Sequence, residues 1–153
     1  MNNKLHLMIL FLLTMFLITA TSAMATSVIP TTITGKGVVQ NPTCAALNYD
    51  YGLKVDPPTP GTYSLPYGLG TATFSVYSTV AGPLVDWSST YGMDAVIVKG
   101  GNGANEYKYN PESFGLDTGL HAPANPNGKW AGVSHVNFCY DIELQVSKTA
   151  TTT

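Results

Sequence analysis

Asp117, His121 and Ser134 are the residue types of a hydrolytic triad. Their surroundings argue against that use. Ser134 sits in Gly132-Val133-Ser134-His135, not in the G-x-S-x-G elbow that lifts a nucleophile above a sheet. His121, between Leu120 and Ala122-Pro123, suits capping or hydrogen-bonding of its own loop. The chain is therefore expected not to be an enzyme, and no catalytic residue is assigned. Lys99-Gly100-Gly101-Asn102-Gly103-Ala104 has the glycines of a phosphate loop, but a phosphate loop opens a helix. Here Glu106-Tyr107-Lys108-Tyr109 follows, which reads as the return strand of a hairpin turning at Asn102-Gly103.

Asp50, Asp56, Asp86, Asp94, Asp117 and Asp141 fall at or near turns, without the D-x-D-x-D-G spacing of a calcium loop. They read as turn formers. No cofactor and no metal ligand is expected, a single structural Ca²⁺ being the alternative. The aromatic residues are the better lead. Trp87, Tyr91, Tyr107, Tyr109 and Trp130 lie at strand ends or in loops, where flat rings beside Asn, Asp and Lys hold sugars by stacking and hydrogen bonding. Trp87 reads as core. Trp130 follows Asn127-Gly128-Lys129 and reads as partly exposed. The candidate ligand-binding set is Trp130, His121, Asp117, Asn125 and Lys129, all within the stretch 110–130.

These residues must be positioned by strands. Thr71–Tyr77 alternates, with Ala72, Phe74 and Val76 on one face. Tyr49–Val55 and Leu84–Ser88 are shorter strands. Ala95–Val98 is a continuous apolar run, suited to a strand covered on both sides. His135–Val146 puts Val136, Phe138, Tyr140, Ile142, Leu144 and Val146 on one face, and His135, Asn137, Cys139, Asp141, Glu143 and Gln145 on the other. Gly35–Gln40 reads as a first strand and Asp56–Gly61, with three prolines, as a loop. Asn110–Asn127, with three prolines, reads as a long excursion. About eight short strands separated by turn signals predict an all-β fold. The expected architecture is an antiparallel two-sheet β-sandwich, Ig-like or jelly-roll-like, with one disulfide.

The bridge is expected between Cys44 and Cys139, the two cysteines of the chain. It closes a loop of about 95 residues, worth on the order of 4–5 kcal/mol in the chain-entropy picture. Because Cys139 falls on the polar face of its strand, the bridge should tie the Asn41–Leu47 segment across the outside of a sheet.

The first 25 residues combine Lys4, an apolar run from Leu5 to Ala20, and a small-residue Ala23-Met24-Ala25 close. That is the pattern of a secretory signal peptide. The expected organisation is a signal peptide at 1–25, a leader segment at 26–34, the β-sandwich domain at 35–147 and a flexible C-terminal tail at 148–153. Export predicts a secreted protein, either extracellular or held at the cell envelope, with no membrane association after cleavage. Seven Lys, no Arg and nine acidic residues rule against nucleic acid as a partner, because such binding needs clustered positive charge.

Taken together, the segments Asp86-Trp87-Ser88-Ser89, Asp94–Gly101 (DAVIVKGG), Asp117–Pro123 (DTGLHAP) and Ser134-His135 leading into Phe138-Cys139-Tyr140-Asp141 have a recognisable order. Cys44 followed by Tyr49-Asp50-Tyr51-Gly52 belongs with them. The run resembles a family of secreted prokaryotic surface modules over about Val38 to Lys148. The resemblance implies location and architecture and carries over no catalytic residue. Relatives often continue into further β-rich extracellular domains, so this chain is expected to be a stand-alone module or a truncated copy.

The expected function is thus a non-catalytic structural or adhesion module of the cell surface or extracellular matrix, with an extracellular polysaccharide or a surface protein as partner. The alternatives are a carbohydrate-binding module using the 110–130 loop, and a fibre-forming subunit whose Thr-rich ends add strands to a neighbour's sheet.

Overall fold

The computed structural model describes residues 28–34, 41–113 and 115–142. The segment read as a signal peptide, the strand read at Gly35–Gln40, the end of the strand read to Val146 and the tail read at 148–153 lie outside them. Among the described residues nine strands make two antiparallel sheets. They are β1 (Thr31–Thr34), β2 (Tyr51–Val55), β3 (Gly61–Ser64), β4 (Thr71–Thr79), β5 (Gly82–Ser89), β6 (Met93–Gly100), β7 (Gly103–Ser113), β8 (Leu116–Leu120) and β9 (Val133–Tyr140). One sheet runs β1-β7-β6-β9-β2 and the other β3-β4-β5-β8. The β6–β7 hairpin is nested between β5 and β8, which pair with each other in the opposite sheet.

The core lies between the sheets. Ala72 and Phe74 from β4 and Val85 and Trp87 from β5 meet Val96 and Val98 from β6 and Val136, Phe138 and Tyr140 from β9. Phe138 stands at its centre, 5.9 Å from the ring of Phe74 and 6.2 Å from that of Trp87. The continuous run on β6 has its physical reason here. Val96 and Val98 face this core, while Ala95 and Ile97 face a second buried cluster with Ala104, Cys44 and Cys139. A strand apolar on both sides needs cover on both sides.

That second cover revises the reading of β9. Its alternation holds, but the face carrying His135, Asn137 and Cys139 is buried rather than wet. Residues 41–50 lie over it as a strap. Asn137 Nδ2 donates to the Pro42 carbonyl at 3.1 Å, and the Tyr49 hydroxyl donates to Glu106 at 2.9 Å. The Cys44–Cys139 disulfide fastens the strap, with Cα atoms 5.3 Å apart. The bridge crosses the outside of the five-stranded sheet, not the inter-sheet core. Gly52 lies directly beneath it, where a Cβ would fall on the Cys44 sulfur.

Three local readings change. The hairpin loop is Gly101-Asn102, with Gly100 paired to Gly103, because Gly101 supplies the positive φ of 57° at the first turn position. Gly61–Ser64 forms an edge strand just after the prolines. Most of the 110–120 stretch is strand, since β7 continues to Ser113 and β8 follows. Only the part after Leu120 is a loop. Thr31–Thr34, within the leader segment, pairs with β7 at a sheet edge.

His135, on the same face of β9, is also buried. Its Nδ1 lies 4.0 Å from the Asp56 carboxylate, and its Nε2 has no hydrogen-bond partner among the described residues. Burial holds its pKa below the ordinary 6.5, with Lys54 and Lys99 adding to that and Asp56 opposing it. A depressed value means that the unfolded chain takes up the proton first. The stability contributed by neutral His135 is therefore present above pH 6.5 and lost as pH falls through the lower native value. Melting temperature measured on a pH series should decline on that acid side, and His135→Gln should remove this part of the slope. An unchanged slope in the variant would place the pH dependence elsewhere.

The strap yields a second expectation. Replacing Cys44 and Cys139 together by Ser should cost about 2–5 kcal/mol. The inter-sheet core and the bonds of Asn137 and Tyr49 remain, so the variant should still unfold cooperatively, at a lower temperature, by circular dichroism. Loss of any cooperative transition would show that the sheets do not form without the bridge.

Candidate functional site

The residues singled out from the sequence separate into an interior set and a loop set. Asp117, on β8, belongs to the interior and is 2 % exposed. Trp87 Nε1 donates to the Tyr109 hydroxyl at 3.0 Å, and that hydroxyl donates to Asp117 Oδ2 at 3.0 Å. Asp117 Oδ1 accepts the Thr118 amide at 2.8 Å. Trp87 and Asp117 lie on the four-stranded sheet and Tyr109 on the five-stranded one, so this chain bonds the two sheets together. Burial raises the pKa of Asp117, only partly offset by its two donors. Burial, followed by the Asp117 charge, pushes the Tyr109 phenol well above its usual range.

His121 and Trp130 form the loop set. The chain leaves β8 at Leu120, turns through Asn125-Pro126-Asn127-Gly128 and returns to β9. The Gly128 amide donates to the Asn125 carbonyl at 2.9 Å and the Asn125 amide to the Lys129 carbonyl at 2.8 Å. An isolated bridge joins Ala124 to Trp130. This miniature hairpin brings residues 121 and 130 side by side. Their rings stack face to face, with centroids 3.6 Å apart and planes 11° from parallel.

The pair is anchored from beneath. The Tyr107 hydroxyl accepts the His121 amide at 2.7 Å and donates to its carbonyl at 3.0 Å. Buried Asn105 donates to the same carbonyl at 2.9 Å, and Thr32 on β1 donates to Asn105 at 2.8 Å. The Tyr107 ring meets the His121 ring edge-on at 6.2 Å. Trp130 is tied down by its own amide, which donates to the Ala81 carbonyl in the β4–β5 turn at 2.7 Å. His121 Nδ1 lies 2.9 Å from the Ala122 carbonyl oxygen and 3.3 Å from Asn105 Nδ2.

Asn125 and Lys129 are exposed on this loop. The structure thus gathers Trp130, His121, Asn125 and Lys129 at one end of the sandwich and places Asp117 in the interior. Ser134 donates to the Lys99 carbonyl at 3.2 Å. Each member of the triad types is engaged in a different local contact. The turn aspartates have their own roles. Asp86 accepts the Gly119 amide at 2.8 Å, Asp94 the Asp141 amide at 2.7 Å, and Asp141 the Asp50 amide at 2.7 Å. Among the described residues no group of three or more His, Cys, Asp or Glu is placed to hold a metal ion.

The stack itself was missed from the sequence, although its signal was there. Pro126 followed by Asn127-Gly128 marks a reversal, and that reversal returns Trp130 alongside Ala124, three residues from His121.

Comparison with known protein families, curated proteins and solved structures found no match to this chain.

The stack predicts a fluorescence effect. In a Trp87→Phe background, where Trp130 is the reporter, His121→Ala uncovers one indole face. Acrylamide should then quench the emission more efficiently and the maximum should move to the red. Identical quenching in both proteins would show that the imidazole does not shield Trp130 in solution.

Proposed function

We propose that this protein is a secreted, non-catalytic recognition and structural module of the cell surface or extracellular matrix, which works by presenting the loop between β8 and β9. One observation carries the reading: the His121–Trp130 stack, fixed from below by Tyr107 and Asn105 and set at one end of a disulfide-fastened sandwich. A ring pair held in place before a ligand arrives spends little ordering entropy on binding. Sugars are bound by such surfaces through their C–H faces on the ring and their hydroxyls to nearby polar groups. Asn125, Lys129 and His121 Nε2 supply those groups here. An extracellular polysaccharide is therefore the favoured partner.

Other features support the same class. Asp117 is occupied in joining the sheets, not in facing a cleft. The disulfide is compatible with an oxidising compartment. No helix among the described residues is long and apolar enough to cross a membrane. The signal-peptide pattern and the resemblance to secreted prokaryotic surface modules point the same way.

The test is retention of the purified protein on insoluble polysaccharides and cell walls, with Trp130→Ala alongside. Retention by the native protein, reduced about fivefold in the variant, is the expected result, since loss of a stacked aromatic contact is worth on the order of 1 kcal/mol. Equal retention of both proteins would remove Trp130 from the site. No retention on any matrix would remove polysaccharide as the partner.

A further inference from the structure

The loop that carries the His121–Trp130 stack is clamped between two hairpin turns. On one side, a Cβ on Gly82 at the start of β5 would lie 2.7 Å from the Trp130 Cβ. On the other, the β6–β7 turn presses on the loop. A Cβ on Gly100 would fall on the Gly132 carbonyl oxygen and lie 2.7 Å from the Ala122 Cβ. One on Gly101 would come within 3.6 Å of Asn125 Oδ1 and 3.2 Å of the Ala131 Cβ. The glycines of Lys99-Gly100-Gly101, which resemble those of a phosphate loop, thus let the turn and the loop meet at close range.

This close approach brings an ammonium group with it. Lys99 Nζ donates to the Gly101 carbonyl at 2.7 Å, so the side chain folds back onto the turn. From there polar groups run in a line. Gly101 meets the Asn125 side chain, the Asn125 amide donates to the Lys129 carbonyl at 2.8 Å, and Trp130 follows Lys129 in the chain. Two lysines thus belong to one packed surface, one on either side of Asn125 along this line, with the ring pair next to it.

That end of the sandwich is short of negative charge, in a chain whose nine acidic residues outnumber its seven lysines. No Asp or Glu occurs in 79–84, 99–105 or 120–134, the stretches that form the two turns and the loop. The β2–β3 connection brings Asp56 to the same end, but Asp56 is paired with Lys54 at 2.7 Å. Among the described residues neither Lys99 nor Lys129 has a carboxylate partner. Carboxylates gather instead at the opposite end, where the Asp50 amide donates to Asp141 and the Asp141 amide donates to Asp94. Charge separated in this way gives the Trp130 end a positive field that draws in an anion. Two ammonium groups are too few for the phosphate rail of a nucleic acid. They match a sugar unit that carries a negative group of its own, through charge-assisted hydrogen bonds.

We propose that Lys99 and Lys129, with Asn125 between them, make the Trp130 loop a site for an anionic polysaccharide, whose sugar rings meet Trp130 and whose acid groups take the two ammonium groups. This inference rests on the polysaccharide reading of the loop, and adds to it the charge of the ligand and the part of Lys99. The ligand chemistry is shared by sugar carboxylates and sugar sulfates.

The experiment measures retention of the purified protein on two matched pairs of matrices. One pair is polygalacturonate and its methyl ester, the same chain without the charges. The other is dextran sulfate and uncharged dextran. The charged member of at least one pair should retain the protein about fivefold more strongly, and the difference should fade as salt rises toward about 1 M. Lys99→Gln combined with Lys129→Gln should remove that preference. Glutamine keeps a donor for the Gly101 carbonyl, so the melting temperature of this variant should match that of the native protein. Trp130→Ala should weaken retention on the charged matrix as well. A preference within the first pair assigns carboxylates, and one confined to the second pair assigns sulfates. Equal retention on charged and uncharged members, still dependent on Trp130, would overturn this inference and leave the polysaccharide reading standing. No retention on any of the four would overturn both. A charge preference that survives the double lysine variant, or that ignores Trp130→Ala, would place the attraction elsewhere on the surface and overturn the proposal.

Discussion

The five-stranded sheet is apolar on both faces, and much of the molecule follows from the need to cover the second one. Ala95, Ile97, Ala104 and Cys139 point away from the inter-sheet core. Left in water they would form an exposed apolar patch at the middle of the sheet. The strap of residues 41–50 covers them. A segment with one short 3₁₀ turn and no strand of its own has little regular backbone bonding to hold it. A covalent bond to the strand beneath, with the Asn137 and Tyr49 contacts, makes the cover permanent.

The same economy governs the buried polar groups. Asp117, Tyr109 and Trp87 carry polar atoms into the interior, where an unpaired group would cost about 1–3 kcal/mol. They spend these atoms on one another and so bond sheet to sheet. Asn105 plays the corresponding part at the loop end, linking Thr32 on the edge strand to the main chain of His121. The loop is therefore positioned by the body of the fold, and the half-buried Trp130 and its His121 partner rest on hydrogen bonds made well inside it.

The face assignment of β4 and β9 and the outside position of the disulfide were legible in period-two alternation, and the double burial of β6 in its unbroken apolar run. They depend only on which way successive side chains point. What alternation cannot say is whether a polar face is wet. Asn137 looks solvated beside Asp141, but a strap from about ninety residues earlier lies on it. Prolines misled in the 110–120 stretch. Pro111 falls inside β7, past the point where that strand pairs with β1, so its missing N–H breaks no ladder there. For the loop, the turn residues were legible and the ring stack was not, since stacking depends on the depth and tilt at which Tyr107 and Asn105 hold the backbone.

Strand β9 also fixes a length. Its eight residues run from the base of the Trp130 loop to Tyr140 at the other end. At about 3.3 Å per residue that is roughly 25 Å of strand, paired with β6 along most of it and with β2 from Val136 on. β9 lies between β6 and β2 and is covered above and below, so this distance cannot breathe as a linker would. Whatever touches one end of the molecule is held at a set spacing from whatever touches the other, and the sandwich serves as a rigid gauge block between two surfaces.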